Sequence, residues 1–436
     1  MEIFSNSFKE NPFWWDSYLP ISVKGEPPED CDVAIVGSGF TGLNAAIELA
    51  KKGLKTVVFD AREIGYGAST RSGGLVSGGV TLGKHKNLLN YFPSKKIMNM
   101  KEESVASFHF LESLVSKEKL DCYFEKNGRF ILAHSKKAYK ELEEKYQEMK
   151  NFSSIRCEMI PEERQYEEVG SNYYYGGMLV HTAGAINPAL YVSALINLAK
   201  SYKVNFLSNA TVKEVKKFNN NFLVYYLNQK IVAKEVIIAT NGYTQSFNFV
   251  KRRLVPVASY MIATEVLKEN ILRKISPNKR TLVDTKKNLF YIRFSHDHKR
   301  LLFGARPTFL VNSPRIAANQ LHAFMVDVFP FLRHIKITHA WKGNVAMSFD
   351  GTPHIGSFKG MHYCVGCNGS GVAMMSYLGN QVAKRILGGR NNLSSFEDIS
   401  FPKKFFYKGY PWFLPFVTIY FTLRDKIDRF IIFNKK

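Results

Sequence analysis

Cysteine is scarce, with five residues in 436: Cys31, Cys122, Cys157, Cys364 and Cys367. So odd and thin a set does not make a disulfide framework, and it suits a reducing compartment. Cys364 and Cys367 have CxxC spacing, but a zinc site needs a second pair, which is missing. No metal centre is expected. Cys364 reads as a buried strand residue and Cys367 as the start of a glycine-rich loop. Long apolar runs are also missing. Nothing approaches the roughly 18 residues of a spanning helix. The nearest stretch, residues 412–423, is short and carries Pro415. The first ten residues lack the basic-then-apolar order of a secretory signal, so a cytoplasmic protein is expected. Acidic residues are few: 37 Asp and Glu against 60 Lys and Arg, a formal net charge of +23. That excess attracts anions. The cations form no block, and no zinc finger, RNA-recognition or basic-zipper signature accompanies them. Nucleic acid is therefore not an expected partner, and a peripheral contact with the inner face of a membrane is preferred.

What is present is ample apolar material. Hydrophobic residues make up 45%, and aromatics alone 14%, with 34 Phe and 22 Tyr. A chain of this length predicts two or three domains, and the aromatic content favours sheets and ligand pockets.

The most informative segment begins at Asp32. Val33-Ala34-Ile35-Val36 is a short apolar run, as expected of a strand buried on both faces. Gly37-Ser38-Gly39-Phe40-Thr41-Gly42 follows, then a predicted helix over residues 43–52, then an apolar strand over 55–59 that ends in Asp60. Gly37 permits the tight turn, Gly39 lets the backbone approach a pyrophosphate, and Gly42 lets the helix pack on the strand. The helix N-terminus offers free N–H groups to phosphate, and Asp60 would accept from a ribose hydroxyl. No second such unit occurs, so a two-nucleotide pyridine reductase is not expected. The next stretch, Gly65-Tyr66-Gly67-Ala68-Ser69-Thr70-Arg71-Ser72-Gly73-Gly74, is rich in small residues. A backbone passing close to a flat flavin accounts for it.

Further along, residues 87–147 read as mostly helical with a hairpin at 123–133, and 188–202 as a helix opened by Pro188. Strands are predicted at 204–207, 212–215, 222–227 and 236–239. A second, antiparallel sheet is predicted from 255–266, 289–294, 301–304 and 337–341, with helices at 314–329 and 369–386. The fold class expected is α/β: a Rossmann-like FAD-binding domain assembled from separated segments, with an inserted α+β substrate domain. The FAD-binding segments are placed at 1–86, 181–250 and 341–400. The substrate domain takes 87–180 and 251–340, and 401–436 is an aromatic, basic tail.

Together these motifs resemble the D-amino-acid-oxidase superfamily of FAD-dependent oxidoreductases, and within it the gamma-glutamylputrescine oxidase-like group. Asn11-Pro-Phe-Trp-Trp-Asp-Ser17 resembles that group's entry segment, and residues 65–74 its flavin loop, with Thr70 and Ser72 departing from the usual Gly and Asn. Ala239-Thr-Asn-Gly-Tyr243, Pro256 to Glu265, Phe290-Tyr-Ile-Arg293, Leu302-Phe-Gly-Ala-Arg306, Trp341-Lys-Gly343 through Asp350-Gly-Thr-Pro353, and Asn368-Gly-Ser-Gly371-Val372 follow in the family's order. The resemblance implies non-covalent FAD. Its contacts would be Gly37, Gly39, Phe40, Thr41, Gly42, Asp60, Ala61 and Arg62, then Gly67, Ala68, Ser69, Thr70, Arg71, Ser72, Gly73 and Gly74. Val212, Thr240, Asn241, Gly242, Gly343, Asp350, Gly369, Ser370, Gly371 and Val372 would complete them. A covalent link at Cys367 is the minor alternative. Small-amino-acid oxidases of the superfamily carry G-x-R-P, where Arg forks onto the substrate carboxylate. Here Val345 stands in its place, so an amine or a larger amino acid anchored elsewhere is expected.

The implied reaction is oxidation of a C–N bond by hydride transfer to flavin N5, giving an imine that water hydrolyses. Tyr291, Arg293, Arg306, His181 and Trp341 are the candidates for the substrate pocket. Each has a plainer alternative: sheet packing for Tyr291, structural pairing for the two arginines, an ordinary loop position for His181. The acceptor would be oxygen or a quinone. The tail at 407–433 reads either as an interfacial membrane contact or as a segment packed across the substrate domain. Two other functions stay open: a dehydrogenase of 2-hydroxy acids or polyol phosphates, and a flavoprotein whose FAD is structural within an assembly.

Overall fold

The computed structural model describes residues 2–23, 28–77, 87–150, 155–307, 313–388 and 394–430. The apolar run at Val33 lies in the strand Asp30–Val36, where Val33, Ala34 and Ile35 are wholly buried. Thr56–Phe59 pairs with it in parallel on one side, and Gln229–Ile238 on the other. Asn205–Leu207 adds outside Thr56–Phe59, and Met361–Val365 pairs in parallel with the last residues of Gln229–Ile238. All these strands point the same way, so their carboxyl ends form one edge, where open α/β sheets bind ligands. The helix Phe40–Lys51 packs against Gly371–Ile386 and Pro188–Ser201. Its seat is tight: a Cβ on Gly42 would stand 1.9 Å from the Gly37 carbonyl oxygen, and Gly37 itself turns at φ +111°.

A second sheet has nine strands. Its order is Phe4–Lys9, Ile337–Ser348, Leu254–Thr264, Leu301–Ala305, Tyr291–Phe294, Thr281–Asp284, Arg129–Leu132, Gly177–Val180 and Cys157–Ile160. Six of its eight pairings are antiparallel. The helix Pro314–Val328 covers one face, burying Ala317, Ala318, Leu321, Met325 and Val328 against Ile262, Phe303 and Ile337.

Two expectations are corrected. Residues 123–133 do not form a local hairpin; Arg129–Leu132 pairs with Gly177–Val180 and Thr281–Asp284 instead. Long-range pairing wins because it buries Phe130 and Leu132 in the second core. The division at 340/341 falls inside one strand. Ile337–Ser348 pairs with Leu254–Thr264 along its whole length, because the apolar alternation continues through Val345 and Met347. Phe4–Lys9 likewise joins this sheet rather than the dinucleotide layer. All five cysteines are free, and among the described residues no cluster could hold a metal.

Two predictions follow from this packing. Gly42→Ala forces the helix off its strand, so we expect a loss of about 3 kcal/mol or more in thermal unfolding. Burial pushes His134 and His339 down to about 4 from an ordinary 6.5. The native state therefore binds fewer protons than the unfolded chain between those values. Stability is full above pH 6.5 and falls as pH drops towards 4. Unfolding midpoints across that range should show the loss, and His134→Asn should flatten it.

Candidate active site

A cavity of about 680 Å³ lies between the carboxyl ends of the parallel strands and the free face of the nine-stranded sheet. Every parallel strand contributes the residues that follow it: 37–41, 60–62, 210–212, 239–241 and 367–372. The opposite wall comes from Ser259 and Met261 on one strand and Gly343, Val345 and Met347 on its neighbour. Their spacing of two puts them on a single sheet face.

The residues present fit FAD. Gly39 is the N-cap of the helix Phe40–Lys51 and has no side chain to cap it, so the first-turn amides beyond Phe40, whose N–H Ser69 takes, are left for an anion. Among the described residues Asp60 is the only acidic one lining the cavity, against Arg62, Arg71, Arg129 and Arg306. That balance suits a pyrophosphate. Asp60 accepts from Ser38 N at 3.0 Å, Ser38 Oγ at 2.5 Å and Arg62 N at 3.1 Å, and burial raises its pKa. The sequence reading missed Ser38, whose hydroxyl also accepts from Gly65 N at 3.0 Å and so couples the turn to the loop after the second strand. Ser69 Oγ accepts from Phe40 N at 3.0 Å in the same way. When bound, FAD supplies the two-electron acceptor that the side chains lack.

The loop at residues 65–74 is held from outside. Arg293 Nη1 donates to the carbonyls of Gly74 at 3.0 Å and Ile186 at 2.7 Å. Trp14 Nε1 donates to Ser72 O at 2.8 Å, and Trp341 Nε1 to Arg71 O at 2.9 Å. Trp15 Nε1 reaches Thr70 Oγ1 at 3.1 Å, and that hydroxyl donates to Gly65 O at 2.6 Å. The Arg71 guanidinium sits over Trp15 and Tyr66, 4.5 and 4.3 Å from the ring centroids. Arg293 and Trp341 are therefore positioning residues, buried behind the loop and outside the cavity lining. The structural alternative for Arg293 needs adjusting too: it pairs with carbonyls rather than with a carboxylate. Burial lowers it to about 10, so it stays charged at neutral pH.

Tyr291 and Arg306 do line the cavity. Tyr291 Oη lies 2.8 Å from Ser259 Oγ and donates to Tyr260 O at 2.9 Å. Burial pushes its phenol up to about 12. Arg306 has a buried Nε without a hydrogen-bond partner and no carboxylate in salt-bridge range among the described residues. Val345, standing where small-amino-acid oxidases carry Arg, lines the same space, as does Cys367.

Most of the expected cofactor contacts reach the cavity. Gly42, Thr70, Gly242 and Asp350 do not. Gly42 and Thr70 act behind the lining, and Gly242 packs under the Asn344 backbone. Asp350 is wholly buried, 3.1 Å from His354 Nε2. His181 is also elsewhere: its Nε2 lies 2.8 Å from Glu158 Oε1, between neighbouring strands at the far edge of the second sheet. Besides Ser38, the reading missed Ser259, Met261, Met347 and Asn344; alternation along the strands was the available signal for the first three, and Asn344 is out of phase with it.

Arg293→Met removes the donor that the carbonyls of Gly74 and Ile186 share. We expect FAD affinity to fall at least about tenfold and the thermal midpoint to drop. The reduction rate of the flavin still bound should change little. A catalytic Arg293 would reverse that pattern.

The chain is similar to known proteins over nearly its whole length. A probable oxidoreductase, OrdL, of Haemophilus influenzae is 29% identical over 86% of this chain and 87% of that protein. Gamma-glutamylputrescine oxidoreductase of Escherichia coli is 26% identical over 94% of this chain and 96% of that protein. Among solved structures, glycine oxidase from Geobacillus kaustophilus superposes with a TM-score of 0.71 at 18% identity, covering 86% of this chain and 97% of that one. The family model described as FAD dependent oxidoreductase matches residues 32–385, and with the dinucleotide turn, the fastened loop and the cation-rich cavity in place, the chain belongs to that family.

Proposed function

We propose that the protein oxidises a C–N bond of an amine or amino-acid-derived substrate that also carries an anionic group. The observation behind this reading is Arg306, a half-buried cation facing the cavity with an orphaned, buried Nε and no acidic partner among the described residues. A substrate carboxylate would supply that partner. The relatives named for gamma-glutamylputrescine and glycine support the choice of a C–N bond.

The chain's own residues do little acid–base chemistry. Among the described residues no His lines the cavity, its one acid is tied to Ser38, and the Tyr291 phenol stays protonated at neutral pH. The Arg306 charge and the apolar wall of Met261, Val345 and Met347 instead favour the neutral amine by lowering its pKa. Tyr291 and Ser259 would then orient it beside the FAD that residues 37–41, 60–74 and 367–372 would hold; the bound FAD would supply the hydride acceptor, and water would hydrolyse the imine product. The electron acceptor is oxygen or a quinone, and the setting is cytoplasmic. The nine-stranded sheet serves as the substrate layer and the parallel sheet as the FAD layer.

Anaerobic titration of the FAD-loaded protein tests this. Amines bearing a remote carboxylate should bleach the flavin band, faster as pH rises through the bound amine's pKa. Arg306→Met should weaken their apparent Kd about a hundredfold and leave the limiting rate largely intact. Bleaching by hydroxy acids or polyol phosphates alone would contradict the proposal, as would an unchanged Kd in the variant.

A further inference from the structure

The tail helix Leu414–Phe430 is docked with its polar side inward. Thr418, Asp425 and Asp428 are buried along with Leu414. The Asp425 carboxylate accepts from the backbone N–H groups of Lys287 at 2.8 Å and Asn288 at 3.1 Å. Asn288 Nδ2 donates to Thr422 Oγ1 at 3.0 Å, and Lys137 Nζ donates to Asp428 at 3.2 Å. The apolar side faces out. Phe416 is 69% exposed, and Ile419, Tyr420, Leu423 and Ile427 are more than half exposed. At 3.6 residues per turn these five share an arc of about 100°, with Arg424 and Lys426 on its two flanks. Trp412, Phe405 and Tyr410, exposed at 53%, 95% and 77%, precede the helix.

A helix that only had to pack on its own protein would bury that stripe. This one is fixed by hydrogen bonds and ion pairs so that the stripe stays outside. Within residues 401–430 the exposed charges carry one sign: Lys403, Lys404, Lys408, Arg424 and Lys426 are exposed, and the only acids there are the buried Asp425 and Asp428, with the exposed Glu141 of the neighbouring helix Lys136–Met149 near Arg424. A second copy of this face would set the basic flanks of the segment 403–426 against each other, with the exposed Glu141 to one side. An aromatic stripe with cationic flanks matches the headgroup layer of an anionic bilayer, where apolar side chains enter and Lys and Arg reach phosphate. No helix among the described residues is long and apolar enough to cross a membrane.

We propose that the tail helix and the aromatic, basic segment before it form a docking surface for an anionic lipid bilayer, with the helix lying in the plane of the interface. The surface adjoins the site. Asn288, which holds Thr422, precedes the cavity residue Leu289, and Tyr407 and Leu414 pack with the cavity residue Met347. This inference goes beyond the proposed reaction and does not require it.

Vesicle flotation of the full-length, FAD-loaded protein is the test, since it needs no turnover. The protein should float with vesicles of phosphatidylcholine mixed with phosphatidylglycerol, not with phosphatidylcholine alone, and less so as salt rises. A variant with Phe416→Ser, Ile419→Ser and Leu423→Ser should lose partitioning about tenfold or more, with its flavin spectrum and thermal midpoint kept. Arg424→Ser with Lys426→Ser should weaken the preference for anionic vesicles. The proposal fails if wild type floats with neither vesicle, if the triple variant floats as wild type does, or if light scattering finds a dimer that the triple variant dissolves.

Discussion

Everything in the site depends on the loop at residues 65–74 keeping its path between two sheets. Its buried carbonyls cannot go unpaired, and the strand pairing that follows begins only at Leu75. The donors come from far away: Trp14 from the N-terminal segment, Arg293 and Trp341 from the nine-stranded sheet. Three of the four tryptophans in the chain spend their indole N–H on this loop. The two sheets are thereby locked to each other through the segment that borders the cofactor cavity. An indole suits the task because it adds a large apolar body to a single fixed donor. Trp14 and Trp341 are buried and use both parts.

That constraint explains how a site with few catalytic groups can work. Flavin chemistry asks the protein to bind, orient and tune. Rigid walls do the orienting, and an imbalance of cations does the tuning. Among the described residues Arg62, Arg71, Arg129 and Arg306 face the cavity against a single acid that is already engaged. Arg71 is spent on stacking and on the Tyr66 carbonyl, 2.9 Å away. Arg306 keeps an unused donor.

The dinucleotide half was legible because its signals are local. A turn that demands glycine, a helix start and an acid 18 residues on lie in one short stretch, and the structure has all three, with the helix opening at Phe40 rather than at Leu43. The second sheet was legible as strands, but its edges were not. Pairings such as Arg129–Leu132 with Thr281–Asp284 join residues about 150 apart, and no local pattern encodes a partner so distant. The site was legible by composition and misassigned by role. Arg293 and Trp341 were found because the family motifs contain them, yet only coordinates show that they face the back of the loop. His181 had the right chemistry and the wrong address: nothing in its sequence neighbourhood reveals that its strand lies beside Cys157–Ile160 at the far edge. Ser38 passed unnoticed as the variable letter of a glycine motif, although its hydroxyl joins Asp60 to the loop.

The most direct test of the central claim removes the indole donors and keeps the rings. FAD affinity would be measured by ultrafiltration for Trp14→Phe, Trp341→Phe and the double variant. The fastened-loop account predicts weaker binding in each single variant and a further loss in the double, with hydrogen exchange at residues 65–74 rising in step. Unchanged affinity and exchange in the double variant would mean that the loop holds its own shape, and would contradict the account.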